Sequence, residues 1–150
     1  MNPISPLAQD VLQRLDVLGE RHAVHVRDDH YDPMLMGGSA NTTFMVGNVV
    51  LNCIRTKLEF TAAIKLDGAK RFFSVLLLWA DRHHLKKHED IVNDPARPDG
   101  LDLIDWFVNS FDVIRAFLSD PEKEVERSRH QKWADQVIRE GLGVRDTKLD

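Results

Sequence analysis

The chain has 150 residues, of which 43% are hydrophobic and 29% charged, with a formal net charge of −4 and a pI of about 6.0. This length suits one domain with its own core, and the acidic balance argues against a broad surface for nucleic acid or anionic membrane. The single cysteine, Cys53, excludes an intramolecular disulfide, and its apolar setting VVLNCIR predicts a buried thiol. We expect a cytoplasmic protein without a membrane segment, because no apolar run approaches the ~20 residues of a span.

The first predicted element is a helix that begins after Ser5. Serine is a favoured N-cap and Pro6 suits the first helical position. Apolar residues then recur at helical spacing, which predicts one buried stripe that ends in a histidine: Leu7, Val11, Leu15, Leu18 and His22. We expect this helix to end between Val24 and Val26. Residues 27–40 should form a loop, since a proline and a Gly-Gly pair interrupt them.

Residues 41–66 allow two interpretations. A helix capped near residue 41 and stopped by Gly68 is favoured by apolar spacing from Phe44 to Leu58. The alternative is a short β-hairpin around residues 54–76, because residues 54–66 alternate in polarity and Asp67-Gly68 suits a tight turn. In that hairpin Ile64 would face Arg71, which is a poor match, and no third strand is evident. The helix is therefore preferred.

The second half of the chain predicts three more helices. A central helix covers residues 69–92, an amphipathic helix covers residues 101–118, and a charged helix enters at Pro121 and ends at Gly141. The second of these has a buried face of regular spacing: Ile104, Phe107, Phe111, Ile114 and Leu118. The sum is an all-α, single-domain bundle of about five helices over residues 1–141, with residues 142–150 as a mobile tail.

The most unusual stretch is DRHHLKKHED at residues 81–90, which holds three of the seven histidines. One interpretation is a metal site. His84 and His88 lie four residues apart, so on a helix they share a face, and His22 and His25 of the first helix could complete the ligand set for zinc, iron or nickel. Lys86 and Lys87 lie between the first pair and would disfavour a cation.

A second interpretation is phosphodiester chemistry. The segment RHHLKKH resembles the motif of HEPN-domain ribonucleases, in which an arginine precedes a histidine by a short spacing and a polar residue follows the arginine. The resemblance implies a dimeric helical bundle that cuts RNA without a metal. Arg82 would hold the scissile phosphate, His83 would be the polar follower, and His88 would act as general acid or base.

The interpretation we prefer makes this stretch the solvated end of a buried helix. The chain is then a non-enzymatic interaction or regulatory protein that needs no cofactor and binds a protein partner. We also expect it to self-associate as a homodimer, since several apolar side chains fall outside the main helical stripes. The candidate interface residues are Met34, Met36, Trp106 and Phe117.

Overall fold

The computed structural model describes residues 4–32, 34, 38–57 and 59–143, which form a five-stranded antiparallel sheet packed with helices. The strands are β1 Val24–Asp32, β2 Ser39–Val46, β3 Val49–Arg55, β4 Phe60–Leu66 and β5 Phe73–Ser74. The helices are α1 Pro6–Leu15, α2 Val75–Arg82, α3 His88–Asn93, α4 Leu101–Asn109, α5 Phe111–Ser119 and α6 Glu124–Gly141. The prediction of an all-α bundle is therefore wrong, and the fold is α+β.

Helix α1 begins as its sequence predicts but ends early. The Ser5 hydroxyl accepts the Ala8 N–H at 3.1 Å and Pro6 is the first helical residue. The buried stripe is confirmed for Leu7, Val11 and Leu15, which are fully buried. Leu18 is also buried, but it lies beyond the helix, and His22 is only partly buried. The helix stops at Leu15, and a 3-10 turn over Asp16–Glu20 leads into β1. At the start of β1, valine alternates with polar residues, a pattern that suits a strand. The predicted end of the helix between Val24 and Val26 and the predicted loop from residue 27 are therefore wrong at these positions.

The sheet is a meander in which the strands lie in chain order. A two-residue turn, Gly47-Asn48, joins β2 to β3 and pairs Val46 with Val49. Gly47 has a φ of 59° there, a conformation that glycine adopts without strain. Alternate side chains of β2, β3 and β4 enter the core with α1, α4 and α5, whereas the other parity carries polar residues such as Asn41 and Asn52.

The predicted helix over residues 41–66 is wrong, because these residues form β2, β3 and β4. The central strand, β3, is hard to recognise from the sequence. Val49, Val50 and Leu51 are all buried, so this central strand lacks the clean alternation of a half-exposed one. The hairpin alternative was nearer to the structure, since residues 60–66 do form a strand. However, Ile64 pairs with Phe73 rather than Arg71, and β3 supplies the neighbouring strand that a lone hairpin lacked.

The predicted central helix over residues 69–92 is two helices. Helix α2 ends at Arg82, and His84 takes a left-handed conformation with a φ of 59°. The Leu85 N–H then donates back to the Ala80 carbonyl at 3.0 Å, a bond typical of a helix end closed by a left-handed residue. The predicted helix over residues 101–118 is also divided, at Ser110, into α4 and α5. Its predicted buried face is nevertheless confirmed across both pieces.

Two apolar clusters hold the elements together. The larger joins α1, the inner face of the sheet, α4 and α5, and it includes Cys53. The smaller joins α2, α3 and α6 around Trp79, Ile91 and Val137. The buried thiol is confirmed, and its burial raises the pKa of Cys53 far above the ordinary value. Within the described part of the chain, no helix has both the length and the apolar character needed to cross a bilayer.

Candidate functional site

A small pocket lies where four helices meet, and we call it the four-helix pocket. Its volume is about 190 Å³, and α2, α4, α5 and α6 each contribute side chains. The lining residues are Leu78, Asp81, Arg82, Trp106, Val113, Ile114, Phe117, Glu126 and Arg129. Three residues singled out in the sequence therefore meet here: Arg82 as a candidate catalytic residue, and Trp106 and Phe117 as candidate interface residues.

The floor and the rim of this pocket differ in character. Leu78 and Ile114 are buried, and the partly exposed rings of Trp106 and Phe117 extend the apolar floor. The charged side chains of Asp81, Arg82, Glu126 and Arg129 complete the lining. The arrangement suits a group that inserts an apolar side chain and presents charge beside it.

The two acids of the rim have partners within the described part of the chain, whereas the two arginines do not. Glu126 lies 3.7 Å from the Lys123 ammonium, and Asp81 is bound by His130. Among the residues that the structure describes, neither Arg82 nor Arg129 forms an ion pair. The two acids are thus partly satisfied, whereas both guanidinium groups are left to solvent or to a ligand.

His130 holds Asp81, one of the residues that line the pocket. It is a buried residue of α6 whose Nδ1 donates to the Asp81 carboxylate at 2.7 Å, which links α6 to α2. Its ring lies among those of Phe73, Phe117 and Trp133, with ring centres 5.5 to 6.0 Å apart. The Nε2 atom is buried and has no partner among the described residues. His130 therefore orients Asp81 and does not itself reach the pocket surface.

The histidines of residues 81–90 are separated by the end of α2. His83 stacks on Trp79 with ring centres 4.6 Å apart, and its Nδ1 donates to the Trp79 carbonyl at 2.8 Å. His84 occupies the left-handed position after the helix. His88 begins α3 and lies against Gly141, where an added Cβ would be 2.8 Å from its Nε2. These three histidines have separate structural environments.

The motif for RNA cleavage is likewise divided. Arg82 lines the four-helix pocket, whereas His88 lines two other cavities beside α6. The helical bundle that the HEPN resemblance implied is contradicted by the sheet. Cleavage by Arg82 and His88 stays a prediction, but it no longer has that fold as support.

The proposed metal ligands do not form a recognisable cluster. His22 packs edge-on against Phe111 with ring centres 4.8 Å apart, and His25 is an exposed residue of β1. Within the described ranges, no group of three or more His, Cys, Asp or Glu side chains is placed to hold a metal ion.

Met34, a candidate interface residue of the predicted loop, does not line the pocket. Met34 is 87% exposed and follows β1, so it is available for contact. Met36 and the C-terminal tail from residue 144 lie outside the described residues.

Sequence reasoning missed four residues at or beneath the pocket. Asp81, Glu126 and Arg129 look like ordinary solvated charges on helices, and His130 stands alone within a charged helix. The one available signal was that Trp106 falls off the buried stripe of its helix, which indicates a second contact surface. Comparisons with protein-family models, with curated proteins and with solved structures find no match to this chain.

Proposed function

We propose that this chain is a non-enzymatic interaction protein that binds a short segment of a partner protein at the four-helix pocket. An apolar side chain of the partner enters the pocket, and acidic residues beside it pair with Arg82 and Arg129. The observation that carries the proposal is a pocket that joins the apolar side chains of Leu78, Ile114 and Phe117 to two arginines without an ion-pair partner among the described residues. A cytoplasmic location belongs to the same proposal and agrees with the single buried thiol.

The size of the pocket favours a side chain over a whole metabolite. Its volume of about 190 Å³ is close to that of an engineered apolar cavity of roughly 150 Å³ that accepts benzene. Pockets for complete small-molecule ligands usually measure roughly 300–1,000 Å³. One aromatic or branched aliphatic side chain fills the space, which is how anchor residues act at protein interfaces.

The charge favours an acidic peptide over a nucleic acid. Two free arginines bind carboxylates well, because guanidinium groups form paired, charge-assisted hydrogen bonds. A nucleic acid carries a negative charge on every nucleotide, and the formal net charge of −4 on the protein opposes such a polyanion. The proposed peptide brings only one or two carboxylates, which the two arginines can pair.

A peptide-display selection against the purified protein tests this proposal. We expect enriched sequences to contain a Phe, Trp, Leu or Ile within about three residues of Asp or Glu. A synthetic peptide from this set should bind at least tenfold more weakly to the double variant Arg82→Gln, Arg129→Gln, because two charge-assisted contacts are lost. The dissociation constant can be measured by fluorescence anisotropy of the labelled peptide.

A matched pair of valines provides the control. Val113 lines the pocket and is 48% exposed, so Val113→Trp should occupy the pocket and abolish peptide binding without a large effect on folding. Val17 is 58% exposed and lies after α1, and Val17→Trp should leave binding unchanged. Equal affinity of the wild type and the Val113→Trp variant, with circular dichroism confirming both folds, would show that the peptide binds elsewhere.

Self-association is the second part of the proposal, and the surface that best supports it differs from the one predicted from the sequence. The apolar run at residues 75–80 is covered within the chain, since Val75 and Leu77 to Ala80 are buried. A groove between α3 and α6 remains, with a volume of about 330 Å³. Val92, Ile138 and Leu142 line this groove and are exposed. The surface offers both apolar ridges and an apolar recess, as a two-fold interface between identical copies requires.

Sedimentation at micromolar concentration checks the self-association. We expect the wild type to have the mass of a dimer and the double variant Val92→Glu, Ile138→Glu to have that of a monomer, because a buried unpaired carboxylate is costly. Val17→Glu, at an exposed valine outside the groove, should remain dimeric. A monomeric wild type would remove this part of the proposal and leave the peptide-binding part to its own test.

A further inference from the structure

A second cavity lies between α6 and the turn that joins β4 to β5. We call it the β5–α6 cavity. It measures about 440 Å³ and shares no lining residue with the four-helix pocket. Its lining residues are Leu66, Ala69, Arg71, Phe73, Leu118, Glu124, Arg127, Ser128, Gln131, Lys132 and Asp135. The volume falls within the range of roughly 300–1,000 Å³ that is typical of small-molecule sites.

The charged side chains of this cavity leave an excess of positive charge. Arg71 and Asp135 pair with each other at 2.9 Å. Arg127 and Lys132 form no ion pair within the described part of the chain, and Glu124 is the one unpaired acid of the lining. Two free cations therefore face one free carboxylate, which favours an anion in the cavity.

Arg127 is held in place for such a role. It is half-buried, and one of its guanidinium nitrogens donates to the Phe117 carbonyl at 2.8 Å and to the Asp120 carbonyl at 2.7 Å. These carbonyls belong to the end of α5 and the residue after it. The guanidinium is thus oriented by main-chain groups, while its positive charge is not neutralised by a carboxylate.

Gln131 adds an unused donor to the same face of α6. It lies one helical turn after Arg127, so the two side chains share a face. Its amide nitrogen is buried and has no hydrogen-bond partner among the described residues. Leaving such a buried donor unpaired is unfavourable. A ligand oxygen would satisfy it after rotation of the terminal amide toward the cavity.

The rest of the lining is apolar apart from Ser128. Leu66 and Phe73 from the sheet and Leu118 from α5 provide aliphatic and aromatic surface. From these contacts we infer that the β5–α6 cavity binds a small amphipathic carboxylate, with an aryl or short alkyl body on this apolar surface. The carboxylate lies among Arg127, Gln131 and Lys132. This inference is independent of peptide binding at the four-helix pocket.

Three probes distinguish the contribution of the carboxylate to binding from that of the apolar body. The purified full chain is titrated with 3-phenylpropionate, with 3-phenylpropan-1-ol, which lacks the charge, and with propionate, which lacks the ring. Amide chemical shifts in two-dimensional NMR report the site and the affinity. We expect 3-phenylpropionate to bind with a Kd on the order of 1 mM or tighter. The other two probes should bind at least tenfold more weakly, with shifts for the first probe concentrated on α6 and residues 66–73.

Variants of α6 assign the binding to the cavity. Lys132 is exposed and has no ion pair among the described residues, so Lys132→Met should weaken 3-phenylpropionate binding by about three- to tenfold without unfolding the protein. Arg139→Met removes a cation from the same helix outside the cavity and should have no effect. Ser128→Trp, at an exposed lining position, should block binding of the probe.

The proposal is overturned if the alcohol binds as well as the carboxylate, if the shifts map to other elements, or if Lys132→Met and Arg139→Met behave alike. Circular dichroism of each variant shows whether a loss of binding reflects a loss of fold. Because Val113→Trp alters only the four-helix pocket, it should bind 3-phenylpropionate as the wild type does.

Discussion

Replacing Asp29 with alanine should lower the free energy of unfolding by about 3 kcal/mol. This carboxylate accepts the Ser5 N–H at 2.7 Å, the Ser5 hydroxyl at 2.8 Å and the Thr42 hydroxyl at 2.7 Å. Ser5 and Thr42 are buried, so the variant would leave buried donors without partners. Asp29 thereby joins β1, β2 and the start of α1 in one contact. Urea denaturation followed by circular dichroism measures the loss.

The adjacent residue is the control for this prediction. Asp28 is exposed and pairs with exposed His30 at 3.1 Å, so Asp28→Ala should change the stability by less than about 0.5 kcal/mol. Equal effects of the two substitutions would contradict the structural role assigned to Asp29.

The pH dependence of the Asp29 effect has a definite sign. Burial tends to raise the pKa of Asp29, but the hydrogen bonds from Ser5 and Thr42 outweigh burial and lower it. A carboxylate with a lowered pKa in the folded state stabilises the fold above its unfolded pKa, which is about 3.9. That stability is lost as the pH falls through the lowered pKa. The difference between wild type and Asp29→Ala should therefore be largest near neutral pH and shrink below about pH 4.

Phe107→Ala should have a still larger effect, with a loss of about 4 kcal/mol. Phe107 is fully buried in α4, and its ring meets that of Phe111 in α5 edge-on, with centres 5.5 Å apart. The side chain links two helices across the break at Ser110 and packs them against the sheet. Removing it leaves a cavity that the surrounding strands and helices cannot readily close.

The expected total stability of a 150-residue protein is about 8–22 kcal/mol, so the Phe107→Ala variant should remain folded but melt at a lower temperature. Val113→Ala, at a half-exposed position of α5, serves as the comparison and should cost less than about 1 kcal/mol. If the two variants melt at the same temperature, Phe107 does not have the central packing role described above.

The elements that the sequence predicts correctly are those whose signals are local. Ser5 and Pro6 mark the start of α1, and the spacing from Ile104 to Leu118 identifies a buried face even though the chain breaks at Ser110. A break of one residue between α4 and α5 leaves the apolar spacing nearly intact. The end of α2 was missed because His84 takes a left-handed conformation, which histidine adopts much less often than glycine.

The sheet was missed because its evidence is not local. A hairpin over residues 54–76 contains only two strands, whereas β4 is stabilised mainly by β3, which precedes it. Packing against α1, α4 and α5 then outweighs the helical spacing of residues 44–58. The four-helix pocket was missed in the same way. Arg82, Trp106 and Phe117 stood out separately, but their convergence depends on how α2, α4 and α5 cross.

The order of the strands also bears on how the chain reaches this fold. Each strand from β1 to β4 pairs with the next along the chain, so these pairings require only short loops to close. The contact of Arg14 with Asp105 joins α1 to α4 across 91 residues and requires most of the chain to be arranged first. Contacts that are close in sequence form faster than distant ones, because they lose less chain entropy. We therefore expect the meander to nucleate folding, and the N-terminal helix to dock against the C-terminal helices late.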